Sequence, residues 1–240
     1  MKELVKEVKQ KREFKELPDS LVERILLLNR KDVKKTREVL RKYFGVFMTN
    51  KLVKGRLDSK DVLKKHISSR DRDYSVLYKR IFGDEKTIID LGAGVNGFSA
   101  DLIGKRYVAI EATKVYVDLM NKFFEEKKVN GKAIWEDLFN LDKIVEIVKE
   151  EARKGETVVW MFNVIDALEL EPNYSKKLIF SIIDKVDRIV LSWPTRSLQK
   201  KKRFEARRYW IINFISENFD VLDEFEINGE RFVVFDNTNN

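Results

Sequence analysis

The 240-residue sequence contains no cysteine, one histidine (His66), three prolines and ten glycines. Without cysteine there is no disulfide, no thiolate metal site and no thiol nucleophile, and a single histidine leaves little for a metal centre. The scarcity of Pro and Gly, beside 43% apolar and 37% charged residues, excludes collagen-like and low-complexity chains and indicates a folded protein. No apolar run approaches the roughly 20 residues of a membrane-spanning helix. The opening MKELVKEVKQKREF is too charged for the core of a signal peptide. These absences predict a cytoplasmic protein with no metal and no membrane partner, and a monomer is the expected state. What is abundant is Lys, Glu and Arg, a composition that suits a protein from a hot environment.

The length fits one α/β domain with a small additional module. Net charge is +8, unevenly distributed: residues 1–80 hold 24 Lys+Arg against 12 Asp+Glu, and the remainder holds 24 against 28. A solvated helical surface mixes both signs. A two-to-one basic excess instead favours a polyanionic partner, bound by release of its counterions, and RNA is the expected one.

Residues 1–82 read as a basic helical RNA-binding extension. Leu4, Val5 and Val8, then Leu21, Ile25 and Leu28, then Val33, Val39, Leu40 and Phe44 recur at helical spacing. Pro18 breaks the first helix, and Ser20 with Glu23 predicts a capping box that starts the next. From residue 83 to 240 short apolar runs alternate with amphipathic helices. TIID (87–90), YVAIE (107–111), AIW (133–135), VVWMF (158–162) and RIVLSW (188–193) read as buried parallel strands. Helices are expected near 96–104, 114–127, 140–153, 174–186 and 204–217. VLDEFEI and RFVVFD flank Asn228-Gly229, a favoured two-residue hairpin turn. The fold class expected is α/β, a Rossmann-like class I methyltransferase sheet closed by an antiparallel hairpin.

The cofactor-binding candidates follow the strands. Gly92, Ala93 and Gly94 come directly after the first strand, where glycine lets the backbone turn tightly and approach a ligand. Glu111 ends the second strand, placed to accept hydrogen bonds from ribose hydroxyls. GAGVNG also matches the dinucleotide fingerprint GxGxxG, with an acidic residue about 20 positions on. Asp90 decides against that reading, because a carboxylate before the glycines repels a pyrophosphate and attracts the cationic methionine end of S-adenosylmethionine. Asp137, with Leu138 beside it, is placed to meet the adenine amino group, or else caps the next helix.

HISSRDRD (66–73), DLGAGVNGFS (90–99) and SWPTRSL (192–198), in this order and spacing, resemble the aminoglycoside-resistance 16S rRNA guanine-N7 methyltransferases and their archaeal relatives. The resemblance runs from about residue 60 to the end. It implies that Arg72 meets the methionine carboxylate, the alternative being a surface pair of Arg72 with Asp71. It also implies a target in 16S rRNA of the 30S subunit near the decoding region. The chain departs from the family at Asp71, where Glu is usual, and at Ala93 and Val95-Asn96-Gly97, where Cys and Leu-Asn-Pro are usual. That leaves the cofactor side intact and puts the substrate side in question.

Methyl transfer is an in-line displacement that needs alignment more than proton transfer. Guanine N7 offers a lone pair directly. Cytidine N4 needs an acceptor for its N–H, which Asn163, at the end of the fourth strand and also in the cofactor set, or the backbone of Ser192 to Pro194 can supply. Trp193, Pro194 and Arg196 follow the fifth strand at the ligand-binding edge. The Trp193 ring either stacks on an extruded base or belongs to the core. Lys200, Lys201, Lys202, Arg203, Arg207 and Arg208, with Arg196, make a second basic surface for RNA. A tRNA methyltransferase and a non-catalytic ribosome-assembly factor are the competing expectations.

Overall fold

The computed structural model describes residues 1–44, 62–64, 69–195 and 208–237. Three N-terminal helices, α1 (Lys2–Lys9), α2 (Asp19–Leu28) and α3 (Val33–Tyr43), are followed by α4 (Tyr74–Ile81). Asp32 and Asp73 cap the last two: their carboxylates accept the backbone N–H of Lys35, and of Ser75 and Val76, which the first turn of a helix leaves without partners. The expected capping box on α2 does not form. Pro18 precedes that helix, no side chain caps it, and the Ser20 hydroxyl instead donates to Asp137.

The α/β part begins with β1 (Thr87–Leu91) and β2 (Arg106–Glu111). It continues through α5 (Lys114–Lys127), β3 (Gly131–Trp135), α6 (Leu141–Ala152) and β4 (Thr157–Phe162). Then come a short α7 (Ile165–Leu168), α8 (Tyr174–Ile182), β5 (Arg188–Pro194), α9 (Tyr209–Asn218), β6 (Asp220–Ile227) and β7 (Glu230–Asp236). The segment expected as a helix over 96–104 is a 3-10 helix, Asn96–Leu102.

The seven strands are ordered β3-β2-β1-β4-β5-β7-β6. The first five are parallel and β7 runs antiparallel to both of its neighbours. Asn228 and Gly229, at φ 53° and 83°, form the turn between β6 and β7, as expected of a tight hairpin. Strand order reverses between β1 and β4, and the carboxyl ends of those two strands flank the crevice where open α/β sheets bind ligands.

Successive strand residues point to opposite faces, and two apolar cores result. Ile89, Leu91, Val108, Ile110, Val159, Met161, Ile189, Leu191, Val233 and Phe235 line one face, covered by α6, α8 and α9 and by residues of α1, α2 and α3. Ile88, Tyr107, Ala109, Val158, Trp160, Phe162, Val190, Phe232 and Val234 line the other, under α4 and α5. The N-terminal helices therefore share a continuous core with the sheet. Among the described residues no helix is long and apolar enough to cross a membrane.

Candidate functional site

The loop after β1 turns at Gly92 and Gly94, both at positive φ. A Cβ on Gly92 would stand 2.4 Å from Val164 Cγ1 and 3.6 Å from Leu138 Cδ1. Glycine is therefore required there for space as well as for backbone conformation, and the loop, Leu138 and Val164 lie together at one edge of the sheet. Gly92 and Ala93 donate their N–H groups to Ile110 O at 2.8 and 3.1 Å, while Gly94 donates to Glu111 Oε2 at 2.9 Å. Glu111 Oε1 accepts Thr113 N–H at 2.7 Å. The Glu111 carboxylate is thus held at the carboxyl end of β2 by two backbone donors, and burial pushes its pKa up against them.

Asp90, 1% exposed, shares the second sheet face with Tyr107. Its Oδ2 accepts from Asn96 Nδ2 at 2.7 Å and from the Tyr107 hydroxyl. Its Oδ1 is buried with no hydrogen-bond partner among the described residues. Burial pushes this carboxyl up to about 6, opposed by the two hydrogen bonds and by the charge of Arg72. A buried carboxylate oxygen without a donor is costly, and it is the complement of an ammonium group brought in by a ligand. The 3-10 helix that follows uses its first side chain, Asn96, to join Asp90 to Arg72.

Arg72 is not paired with Asp71, whose carboxylate meets Arg70. It is buried over the rings of Phe162 and Tyr74, at 5.0 and 5.8 Å. Its Nη1 donates to Asn96 Oδ1 at 3.0 Å. Its Nε and Nη2 form a two-point pair with Glu230, at 3.0 and 2.7 Å. Only part of its donor set is left for the carboxylate it was expected to meet.

Glu230 is the centre of the arrangement, and sequence reasoning missed it. Besides Arg72, its Oε1 accepts from Asn163 Nδ2 at 2.9 Å and from Ser192 Oγ at 2.6 Å. A carboxylate can only accept, so the Asn163 amide has one allowed orientation, with its nitrogen on Glu230. Asn163 Oδ1 is then held on the other side, buried and without a hydrogen-bond partner among the described residues. The backbone of Asn163, at φ 58°, leaves β4 in the left-handed conformation that Asn tolerates. The signal for Glu230 was its place directly after the Asn228-Gly229 turn, which puts it opposite Pro194 in the β5–β7 ladder.

The adenine-side candidates are together as well. Asp137, 2% exposed, is not the cap of α6. Its Oδ1 accepts Phe139 N–H at 2.9 Å, and its Oδ2 accepts the Ser20 hydroxyl. Leu138 O accepts the Tyr174 hydroxyl at 2.7 Å.

The fifth-strand candidates divide. Trp193 is 5% exposed and packs in the first core, which is the core alternative rather than an open stacking platform. Pro194 is half-buried. Arg208 turns back onto the fold, pairing with Asp166 and reaching Pro194 O at 3.5 Å, and burial lowers its pKa. Arg196, Lys200, Lys201, Lys202, Arg203, Arg207 and His66 lie outside the described residues.

No family model and no curated protein sequence matches this chain. Solved structures do. The chain is similar to the 16S rRNA methyltransferase RmtF in complex with S-adenosyl-L-homocysteine, at 17% identity and TM-score 0.78, over 99% of this chain and 98% of that one. It is similar to the 16S rRNA methylase RmtB at 18% identity and TM-score 0.79, with the same coverage. An rRNA methylase from Escherichia coli matches at 20% identity and TM-score 0.76, over 99% of both chains. These likenesses show the fold: a class I methyltransferase sheet with its closing hairpin and N-terminal helices.

Proposed function

We propose that this protein is an S-adenosylmethionine-dependent methyltransferase acting on a base of 16S rRNA in the small ribosomal subunit, near the decoding region. The observation that carries the reading is the pair of buried, unpartnered acceptors, Asp90 Oδ1 and Asn163 Oδ1, at the carboxyl ends of the adjacent strands β1 and β4. The first suits the ammonium of the cofactor's methionine end and the second suits an N–H of the base. Full-length likeness to three rRNA methylases supports the substrate class. So does the basic excess of residues 1–80.

The cofactor supplies a methyl group on a sulfonium, already activated for in-line displacement. The chain's residues hold the partners in place. Asp90 takes the ammonium, Glu111 the ribose hydroxyls, Asp137 and Leu138 the adenine, and the spare donors of Arg72 the carboxylate. On the base side, Asn163 Oδ1 distinguishes the two candidate atoms. Guanine N7 presents a lone pair and nothing that an acceptor can hold. Cytidine N4 carries N–H bonds, and a pinned acceptor aligns its lone pair and takes up positive charge as the new C–N bond forms. The geometry supports cytidine N4, giving N4-methyl- or N4,N4-dimethylcytidine, over guanine N7.

The test is methylation of purified 30S subunits with labelled S-adenosylmethionine, followed by nucleoside mass spectrometry. Methylated cytidine is the expected product. A 7-methylguanosine product would keep the enzyme and remove the proposed role of Asn163. No label on the 30S subunits would sink the reading in favour of a tRNA enzyme, which a parallel reaction with purified tRNA would label, or a non-catalytic assembly factor.

Asp90 adds a pH dependence. Its folded pKa is raised, to about 6 from 3.8, so the folded protein prefers the protonated carboxyl. The stability from this group is full below about pH 4 and is lost as pH rises through about 6. Pairing with an ammonium has the opposite need, because the carboxylate must be ionised. Affinity for S-adenosylhomocysteine, measured calorimetrically, is therefore expected to rise from about pH 5 to about pH 7 and then level off. Asp90→Asn should bind weakly with a flat profile. A flat wild-type profile would contradict the assignment.

A further inference from the structure

We infer that Ser20, on the basic N-terminal segment, is a positioning residue of the adenine subsite, so that helix α2 takes part directly in cofactor selection. The inference rests on the cofactor reading above and adds to it a residue from a part of the chain that the sequence assigned to RNA. Ser20 lies near the solvent edge at the start of α2, and its hydroxyl donates to Asp137 Oδ2 across 117 residues of sequence. Asp137 itself is buried. With Phe139 N–H on Oδ1, the Ser20 bond fixes the second oxygen and hence the plane of the carboxylate. A carboxylate oxygen accepts more than one hydrogen bond. Asp137 thus keeps acceptor capacity for an exocyclic amine while its orientation is set from both sides.

The contact is part of a wider junction. Arg24, one turn further along α2, reaches Phe139 O at 3.2 Å and Glu171 at 2.6 Å. Its guanidinium lies 5.4 Å from the centre of the Phe139 ring. Before the helix, Glu16 O accepts Lys114 N–H at 3.1 Å, at the start of α5 and three residues past Glu111. The N-terminal segment therefore touches the loops after both β2 and β3, the two loops that carry the ribose and adenine candidates. An ionised Asp137 can only accept, so it favours an adenine amino group over a 6-oxo purine whose oxygen also accepts, and the Ser20 bond holds the carboxylate in the orientation that meets that amine.

The experiment compares binding of S-adenosylhomocysteine and S-inosylhomocysteine by calorimetry to the full-length wild type, Ser20→Ala and Ser20→Thr. Wild type is expected to prefer the adenine ligand. Ser20→Ala should weaken S-adenosylhomocysteine binding about five- to tenfold, the size of effect expected of one ordinary, partly exposed hydrogen bond. Its binding of the inosine ligand should change little, so the preference narrows. Ser20→Thr, which keeps the hydroxyl, should restore the preference. If Ser20→Ala lowers the melting temperature but leaves the ratio of affinities unchanged, Ser20 merely staples the fold and the inference fails. Failure of the wild type to bind S-adenosylhomocysteine overturns the cofactor reading and this inference with it.

Discussion

Glu230→Ala is expected to destabilise the protein by about 3–5 kcal/mol, the usual cost of removing one partner from a buried ion pair, and to abolish methyl transfer. The Glu230 side chain is 13% exposed and the Arg72 side chain 4%. Truncation strands the Arg72 cation between Phe162 and Tyr74, with Asn96 its remaining acceptor among the described residues. It also removes the acceptor for Ser192 Oγ and Asn163 Nδ2. Denaturant melts of wild type and variant measure the first effect.

Glu230→Gln separates folding from function. Glutamine keeps the volume and one acceptor oxygen, so the chain should fold and bind S-adenosylhomocysteine. With its carbonyl on the Asn163, Ser192 and Arg72 Nη2 donors, its amide nitrogen faces Arg72 Nε, and that donor–donor clash loosens the seat that pins Asn163. A rate about 10²-fold below wild type on 30S subunits is expected, the size of effect seen when one polar group that stabilises a transition state is lost. An unchanged rate would show that the Asn163 orientation is immaterial, as attack by guanine N7 requires.

The second large effect concerns the N-terminal helices. Their basic charge suggests an RNA-docking extension that a truncation could remove, but Phe14, Leu17, Leu21, Val22, Ile25, Leu26 and Leu40 are each at most 1% exposed. They belong to the same core as Leu91, Ile110, Phe139 and Ile179. Each such side chain contributes about 1.5–3 kcal/mol on burial. Removing all seven costs on the order of 10 kcal/mol, comparable with the about 5–15 kcal/mol that holds a domain folded. Deletion of residues 1–44 is therefore expected to yield an aggregating chain without a cooperative melt by circular dichroism. A soluble, cooperatively melting truncation would show that the sheet carries its own stability. RNA docking is better probed on the surface: reversing the exposed Lys31, Lys34 and Lys35 to Glu should lower affinity for 30S subunits and its salt dependence while the melting temperature holds.

The elements themselves were legible in the sequence because their causes are local. Strand runs rich in Val, Ile and aromatic residues, broken by Gly-Asp and Lys-Gly-Glu, lie where β1 to β5 form. Asn228-Gly229 called for the closing hairpin, because both residues accept the positive φ that the turn demands. Even on α2, however, the pattern was not sufficient. Leu28, placed on the apolar face by spacing, is 45% exposed, whereas Val22 and Leu26 are buried. Which side of a helix is covered depends on what packs against it.

The same division holds for the proposed site. Asp90, Gly92, Gly94 and Glu111 could be named from sequence because they sit at strand ends, and the carboxyl edge of a parallel sheet is the ligand edge whatever the rest of the chain does. Their partners could not. Glu230 reaches Arg72 over 158 residues and Ser20 reaches Asp137 over 117, and no periodicity or propensity connects such positions. By itself the sequence determined the strands, the helices and the edge at which chemistry can occur, through short-range backbone preferences and apolar spacing. Only the tertiary structure decided which acceptors are spent and which are left open, because hydrogen bonds over that range exist only once the fold has brought distant parts of the chain together.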